Sequence, residues 1–502
     1  MNKYKTLSFY LIALWINISL AQITEIKLIP NDAQYIGAFG FSVAVDKDIL
    51  VVGAAESDIL GTNSGAAIVF KNVNGNWIED TLLLAQDGSA SARFGWAVDV
   101  QDDYIFVGAD QDPENGIWSG AVYVFKRNST TGEWQQQQKL FPVFGQQGDL
   151  FGSSLSISGN NLLIGTRGAD NNVGAAYIFR LNDTTWIQQQ KIVPLNSVGD
   201  SHFGTSVSLD GDYCIIGAYL DNSVGNESGA AFIFRFDNGN FAQQAKLLPS
   251  DINSGDNFGF SVSLSGNYAI VGAIDAIHQT YRSGAAYIFR HSDTLWLEQA
   301  KLLDSSAVTN IAFGYSVSLL DDYAVIGVAQ DNQNGNGAGA AYIYKFDNSN
   351  WLRLTKLLAS DGNESDRFGW SVDINEDWAI VGAPIQDANS SYCGATYLFN
   401  DFITGIDAKF FEPYPDEFIV YQNYPNPFNP GTTISWETPV GSHQTIKVYD
   451  VLGREVVTLV DEYKPAGIYN VQFTMNNLAS GVYYYQLKAG SFIQTKKMIL
   501  LK

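Results

Sequence analysis

Seven aspartates recur at one place in a repeating chain. They are Asp58, Asp112, Asp170, Asp221, Asp275, Asp331 and Asp387, each a few residues after a glycine that closes an apolar run. A ring of carboxylates would suit a cation, a basic protein segment or a hydroxyl-rich glycan. The same residue type also builds Asx-turns, in which the side chain accepts from a backbone N–H two residues on. Similar placement in seven copies fits that role better. Beside the aspartates stand residues that differ from copy to copy: Trp118, Tyr219, Tyr281, Arg282 and Tyr392. Loop aromatics and arginines are common contact anchors, so these join the aspartates as ligand-binding candidates.

Catalysis finds less support. General acid–base work needs two carboxylates at a defined spacing with pKa values held apart, and a seven-fold set offers no asymmetric pair. The four histidines, His202, His278, His291 and His443, fall at unrelated points of the repeat. That is poor material for a metal or nucleophilic centre, and it argues against an oxidase of the copper propeller type. Cys214 and Cys393 lie three repeats apart, too far for a disulfide, and read as small unpaired hydrophobes. The chain is expected not to be an enzyme and to carry no catalytic residue, resident metal or cofactor.

The elements that must hold these residues follow from a Phe-Gly dipeptide at Phe39, Phe94, Phe151, Phe203, Phe258, Phe313 and Phe368. A fixed period of about 55 residues means stacked supersecondary units that cannot bury their faces alone. Each unit shows four short β-patterns, as in Phe368 to Ile374, Trp378 to Ala383 and Gly394 to Phe399, with the fourth seen after the sixth Phe-Gly as Trp351 to Leu358. Along the first pattern, odd positions are large (Phe39, Phe41, Val43) and even positions small (Gly40, Ser42, Ala44). Alternation sends these to opposite faces, bulky and bare, which suits blade-on-blade packing around a ring. The fold class expected is all-β: a seven-bladed β-propeller over 22–400.

The ends of the chain complete this reading. The seventh repeat lacks a fourth strand, and Ile26-Lys27-Leu28-Ile29 near the start resembles Ala245-Lys246-Leu247-Leu248. An N-terminal strand is therefore expected to close the last blade and remove an open edge. Before it, residues 1–21 read as a signal peptide, with basic Lys3 and Lys5, an apolar stretch, and cleavage between Ala21 and Gln22. Residues 401–418, with Pro413 and Pro415, read as a linker to a small Ig-like β-sandwich at 419–502. Residues 22–418 hold 20 basic and 47 acidic residues, a net charge of −27. Such a surface argues against nucleic acid or an anionic membrane as partner.

The pattern Phe-Gly-x-Ser-Val, then Val-Gly-Ala, then Gly-Ala-x-Tyr-x-Phe resembles the FG-GAP repeats of the integrin α-subunit propeller and its bacterial relatives, over roughly residues 26–400. The resemblance implies an extracellular, non-catalytic binding or adhesion propeller. Integrin-type repeats often carry an Asp-x-Asp-x-Asp-Gly calcium loop between the first two strands. Here those connections are tight turns such as Ser158-Gly159-Asn160, Asp210-Gly211-Asp212 and Ser265-Gly266-Asn267. Calcium needs six to eight oxygens, so the family's metal sites are not carried over.

Residues 419–502 resemble the type A sorting domain of the type IX secretion system. The matching motifs are Asn423 to Pro430 with Pro425 and Pro427, Val448 to Glu455 with Gly453, Gly481 to Tyr485, and a close at Lys496, Lys497 and Lys502. The resemblance implies passage through the periplasm and across an outer membrane by the type IX machinery. Removal of this domain would then leave the protein secreted or peripherally attached to the outer cell surface.

Connections after the second and fourth strands share one face of the disc and are long, for example Asp110 to Ser119 and Ser250 to Asn257. Binding concentrates in such loops on rigid scaffolds, so this loop-rich face is expected to recognise an extracellular protein or glycan. Two other readings stay open. One is a secreted glycan hydrolase or lyase using carboxylates at the channel mouth; the other is a structural subunit of a surface assembly.

Overall fold

The computed structural model describes residues 23–400 and 418–501, apart from 35, 196–199, 279–280, 293, 305–306, 308, 387–392, 424, 439–441, 465–466, 475–478 and 491. The expected signal peptide with Ala21 and Gln22, the linker at 401–417, and Lys502 lie outside the described residues.

Six antiparallel four-stranded sheets follow the chain in order. The first runs Phe39–Asp46, Ile49–Ala54, Ala66–Val73 and Asn76–Leu83. The seventh has Ser371–Ile374, Ala379–Ala383 and Ala395–Asn400, and its fourth strand is Thr24–Leu28 from the N-terminus. The register is fixed by a repeated pair. A tyrosine or phenylalanine of the third strand faces an outermost lysine at Tyr123↔Lys139, Tyr177↔Lys191, Phe232↔Lys246, Tyr287↔Lys301 and Tyr342↔Lys356. The closing strand supplies the same pair, Tyr397↔Lys27. Lys27 also bonds Asp361 at 2.6 Å, as Lys139 bonds Asp87 and Lys301 bonds Asp251.

The core lies between blades, because each hydrophobic cluster draws on two neighbours. Val51 and Val69 of blade 1 pack with Phe94, Val98 and Tyr123 of blade 2. Across the closure, Ile380 and Leu398 pack with Phe39 and Val52. The motif glycines explain how the blades approach so closely. A Cβ on Gly53, Gly108, Gly165, Gly217, Gly272, Gly327 or Gly382 would stand 2.0–2.2 Å from the carbonyl oxygen of the next blade's Phe-Gly glycine. In six blades a first-strand serine donates to that same oxygen, as Ser261 Oγ does to Gly314 O at 2.7 Å.

One feature of the first strand departs from simple alternation. A β-bulge separates Phe39 from Ser42, and its equivalents recur in blades 2, 3, 5 and 6. A bulge re-aims the residue it inserts. Phe39 and Val43 stay in the inter-blade cluster, while Phe41 leaves it and meets Trp96 and Trp370 of the adjacent blades. Only some of the large odd-numbered residues therefore form the bulky face.

The C-terminal unit has two sheets. One contains Ile419–Val420, Gly431–Thr438 and Gly467–Thr474; the other contains Glu455–Lys464, Ser442–Tyr449, Gly481–Ala489 and Phe492–Leu500. Trp436, Tyr485 and Met498 fill the space between them. Phe428, just past Pro425 and Pro427, is tied to the last strand by Phe428 N–H to Ile499 O and Leu501 N–H to Phe428 O, both 3.0 Å. Gly453 turns the chain between Asp450 and Arg454, Gly481 opens a strand, and Lys496 and Lys497 lie on the last one.

Candidate binding face and channel mouth

The re-aimed first-strand residue defines the mouth of the central channel. From blade 1 to blade 7 it is Phe41, Trp96, Ser153, Thr205, Phe260, Tyr315 and Trp370. Ring contacts run from Trp96 to Phe41 at 4.6 Å, Phe41 to Trp370 at 5.5 Å, Trp370 to Tyr315 at 4.7 Å and Tyr315 to Phe260 at 5.1 Å. Tyr219 and His202 extend the chain of rings at 5.5 Å each. The aromatic collar is interrupted at blades 3 and 4, where Ser153 and Thr205 stand. Each collar position follows a residue held in the left-handed region: Ala38, Arg93, Leu150, His202, Asn257, Ala312 and Arg367 have φ of 52–61°.

The aspartates singled out from the sequence do not form one ring of equivalent carboxylates, because they sit at different distances from the strand-ending glycine. Asp112, Asp221 and Asp331 share a register and are buried. Each accepts from the backbone N–H two residues on, at Glu114, Ser223 and Gln333, with distances of 3.0–3.1 Å. Each also meets the lysine of its own outermost strand, Lys139, Lys246 or Lys356, at 2.7–3.0 Å. These carboxylates thus shape the loop and reach toward the rim. Asp58 accepts from Asn63 N–H, and Asp170 pairs with Lys191 at 2.7 Å. Asp275 is half-buried, and burial raises its pKa against the nearby Arg282. Arg282 itself staples the loop, donating to Gly255 O, Ser254 O and Asp275 O. Asp387 and Tyr392 lie outside the described residues.

The aromatic candidates divide in the same way. Tyr219 belongs to the collar, wedged between His202 and Phe260. Tyr281 is 40% exposed on a short hairpin, Ile277–His278 with Tyr281–Arg282. Trp118 is 54% exposed with φ of 60°, its carbonyl accepting from Leu150 N–H.

Sequence reasoning missed the collar and what fills its gap. Two residues after the strand-ending glycine, blades 2, 3 and 4 carry Asp110, Arg167 and Tyr219. Arg167 Nη2 lies 3.0 Å from Asp110 Oδ2, and the Asp110 side chain is fully buried. Burial pushes Asp110 up to about 6 against the pull of Arg167 and Arg93. Alignment by distance from the glycine, rather than by residue type, would have exposed these departures.

Farther along the innermost strand, a side chain at one position ties five of the blades to the next, while blade 1 carries Ala44 there and Ser318 of blade 6 donates to Asp373. Ser156, Ser208 and Ser263 accept from Leu209, Leu264 and Leu319 N–H. Asp99 and Asp373 do the same for Ile157 and Val45 at 2.8 Å. Burial pushes Asp99 up to about 7 and Asp373 to about 6. A carboxyl raised in the native state holds its proton where the unfolded chain has released it, between about pH 4 and 7. Stability contributed by these groups is therefore greatest at the acid end and falls as pH rises through that window. Asp99→Ser, which restores the side chain used in blades 3 to 6, should flatten the fall in melting temperature between pH 5 and 8. Parallel profiles for the two proteins would refute this.

Among the described residues no group of three or more His, Cys, Asp and Glu side chains could hold a metal ion, and no helix is long and apolar enough to cross a membrane.

Comparison with known families places these features. The FG-GAP repeat matches seven times, at 24–70, 77–125, 134–179, 186–234, 241–289, 296–344 and 351–399. A secretion system C-terminal sorting domain matches 422–501. That domain assigns the chain to export by type IX secretion, to the cell surface or extracellular space. No curated protein matches the chain. Solved structures with a similar course include PorZ, an essential bacterial surface component of the type IX secretion system of Porphyromonas gingivalis, at 12% identity and a TM-score of 0.34. That likeness covers 92% of this chain and 65% of PorZ. Sqt1 of Saccharomyces cerevisiae aligns at 11% identity and a TM-score of 0.39, covering 80% of this chain and 94% of its own. The β-propeller domain of the Trilobed protease of Pyrococcus furiosus aligns at 9% and 0.40, covering 69% and 91%. With seven matched repeats spanning both the blades and the closing strand, the chain belongs to the FG-GAP repeat family and carries a C-terminal sorting domain for type IX secretion.

Proposed function

We propose that this exported propeller is a non-catalytic binding protein whose loop-rich face recognises an extracellular glycan or protein. After the type IX machinery has removed the sorting domain, the propeller acts free or peripherally attached to the outer cell surface. The observation that carries the reading is Trp118, a large aromatic held in a left-handed backbone and still 54% exposed. The same backbone recurs at Asn63, Asn172 and Glu227, so it belongs to the turn that these loops make and fixes where the Trp118 ring is presented; an exposed aromatic on a loop so placed is a contact anchor. Tyr281 on its hairpin supplies a second anchor. The acidic loop residues support these anchors by shaping the loops rather than by meeting the ligand.

The test is a screen of the full chain against glycan and extracellular-protein arrays, with calcium and with chelator. Calcium-independent binding is expected, weakened about tenfold or more by Trp118→Ala and Tyr281→Ala without a change in melting temperature. A ligand bound equally well by both variants would refute this use of the loop face. Depolymerisation of an arrayed glycan would replace the reading with a glycan-degrading enzyme.

A further inference from the structure

The break in the aromatic collar holds a cluster of charged and polar side chains that the other blades do not repeat. The guanidinium of Arg167 lies 5.1 Å from the Trp96 ring centroid, and that of Arg93 lies 4.7 Å from the same ring. Ser153 and Thr205 form the floor where other blades place aromatic rings. His202 and Tyr219 close the far side. Among the described residues Arg167 makes one hydrogen bond, to Asp110, and Arg93 makes no ion pair. Among the described residues, four of the five guanidinium N–H groups of Arg167 thus have no protein acceptor. Asp110 Oδ1 and His202 Nδ1 are buried and receive no hydrogen bond. Arg93 and Arg167 both act on the Asp110 carboxylate; burial and the neighbouring Arg167 hold the His202 imidazole toward its neutral form, against the opposing charge of Asp200. Among the described residues Arg93 is thus left without an ion-pair partner, although residues 22–418 carry a net charge of −27.

We infer that this notch is the subsite for the carboxylate of a uronic-acid residue in an acidic glycan. The inference rests on the binding reading of the loop-rich face and names the ligand class. A carboxylate matches the planar fork of a guanidinium better than any neutral group does. The aromatic wall of Trp96 and Tyr219 suits the rigid C–H face of a pyranose ring. Sugar hydroxyls supply the donors that Asp110 Oδ1 and His202 Nδ1 lack. A neutral sugar would leave Arg93 without a counter-charge, and an acidic peptide has no rigid C–H face to lay on the wall.

The experiment is calorimetric titration of the full chain with trigalacturonate, with maltotriose as the neutral trisaccharide and penta-aspartate as the acidic peptide. Trigalacturonate should bind at least tenfold more tightly than either. Arg93→Gln should weaken it about tenfold and melt as the parent does, and Ser153→Trp, which completes the collar at a position now only 6% exposed, should abolish it while the protein still unfolds in one cooperative transition. Arg167→Ala is less informative because it strands a buried carboxylate. Between pH 7 and 5 protonation of Asp110 releases Arg167, so affinity should rise two- to threefold while the uronate stays ionised (pKa about 3.5). Arg93 and Arg167 act on Asp110 directly, and His202 and Tyr219, with Asp200 and Glu227 acting on them, complete the groups around this change; Asp110→Asn should remove it.

Equal binding of maltotriose, preference for penta-aspartate, or insensitivity to Arg93→Gln and Ser153→Trp would overturn the inference. An array ligand lost in Trp118→Ala but kept in both notch variants would overturn it while leaving the loop-face reading intact.

Discussion

Deleting residues 23–29 should lower the melting temperature of the propeller by more than 10 °C and turn a monodisperse protein into an aggregating one. The segment supplies five register pairs to the seventh blade, from Thr24↔Asn400 to Leu28↔Thr396. Leu28 is buried, and Ile26 packs against the cluster that joins blades 7 and 1. Glu25 accepts from Ser360 N–H and Oγ–H, which fixes the strand to the preceding loop. At about 1 kcal/mol for each net hydrogen bond and about 2 kcal/mol for a buried leucine, the loss is on the order of 5 kcal/mol. The kinetic effect is larger. Ala395–Asn400 would become an open, apolar edge strand, which is a template for pairing with other chains. Lys27→Ala leaves the strand in place and removes the partly exposed ion pair with Asp361 and the ammonium's contact with the Tyr397 ring, 5.6 Å to its centroid, and should cost about 1 kcal/mol. Thermal unfolding and size-exclusion chromatography of the two variants separate closure by the strand from closure by its charge. A deletion variant that melts and elutes like the parent would sink the closure account.

The same strand shows what a sequence can disclose about such a ring. Phe-Gly, Val-Gly-Ala and Gly-Ala recur because backbones of neighbouring blades touch at those glycines, so every interface prints the same residues. The orphan Ile26-Lys27-Leu28 was recognisable because it copies the outer strand of other blades, down to the lysine that faces a tyrosine. Where the sequence misled, local chemistry hid a change of direction. The bulge after Gly40 turns Phe41 into the channel mouth, although strict alternation would bury it beside Phe39. The site was harder still to read. Aspartates shared a residue type without sharing a register, so Asp112 and Asp275 looked equivalent and are not. Asp110, Arg167 and the Ser153–Thr205 gap share a place without sharing a type, and only the fold brings them together.

Replacing a single interface glycine should be as damaging as losing the closing strand. In Gly272→Ala the new methyl would stand 2.1 Å from Gly314 O and 2.3 Å from Ser261 Oγ. The serine can rotate away; the carbonyl cannot, because Gly314 lies within the next blade's innermost strand, Phe313–Leu320. Overpacking a dense core costs about 1–3 kcal/mol when side chains can yield, and more when backbone must move. In a closed ring it must move at several interfaces together, since opening one narrows the others. Gly266→Ala is the matched control. It lies in the same blade, at the turn between the first two strands, with φ of +53° and nothing within 4 Å of a new Cβ. Its cost is the left-handed backbone alone, about 1 kcal/mol. A double variant, Ser261→Ala with Gly272→Ala, removes the side-chain clash and keeps the backbone one. It should remain as unstable as Gly272→Ala by chemical denaturation, with both far below Gly266→Ala. Recovery in the double variant would mean that the serine, and not the approach of two backbones, sets the spacing of the blades.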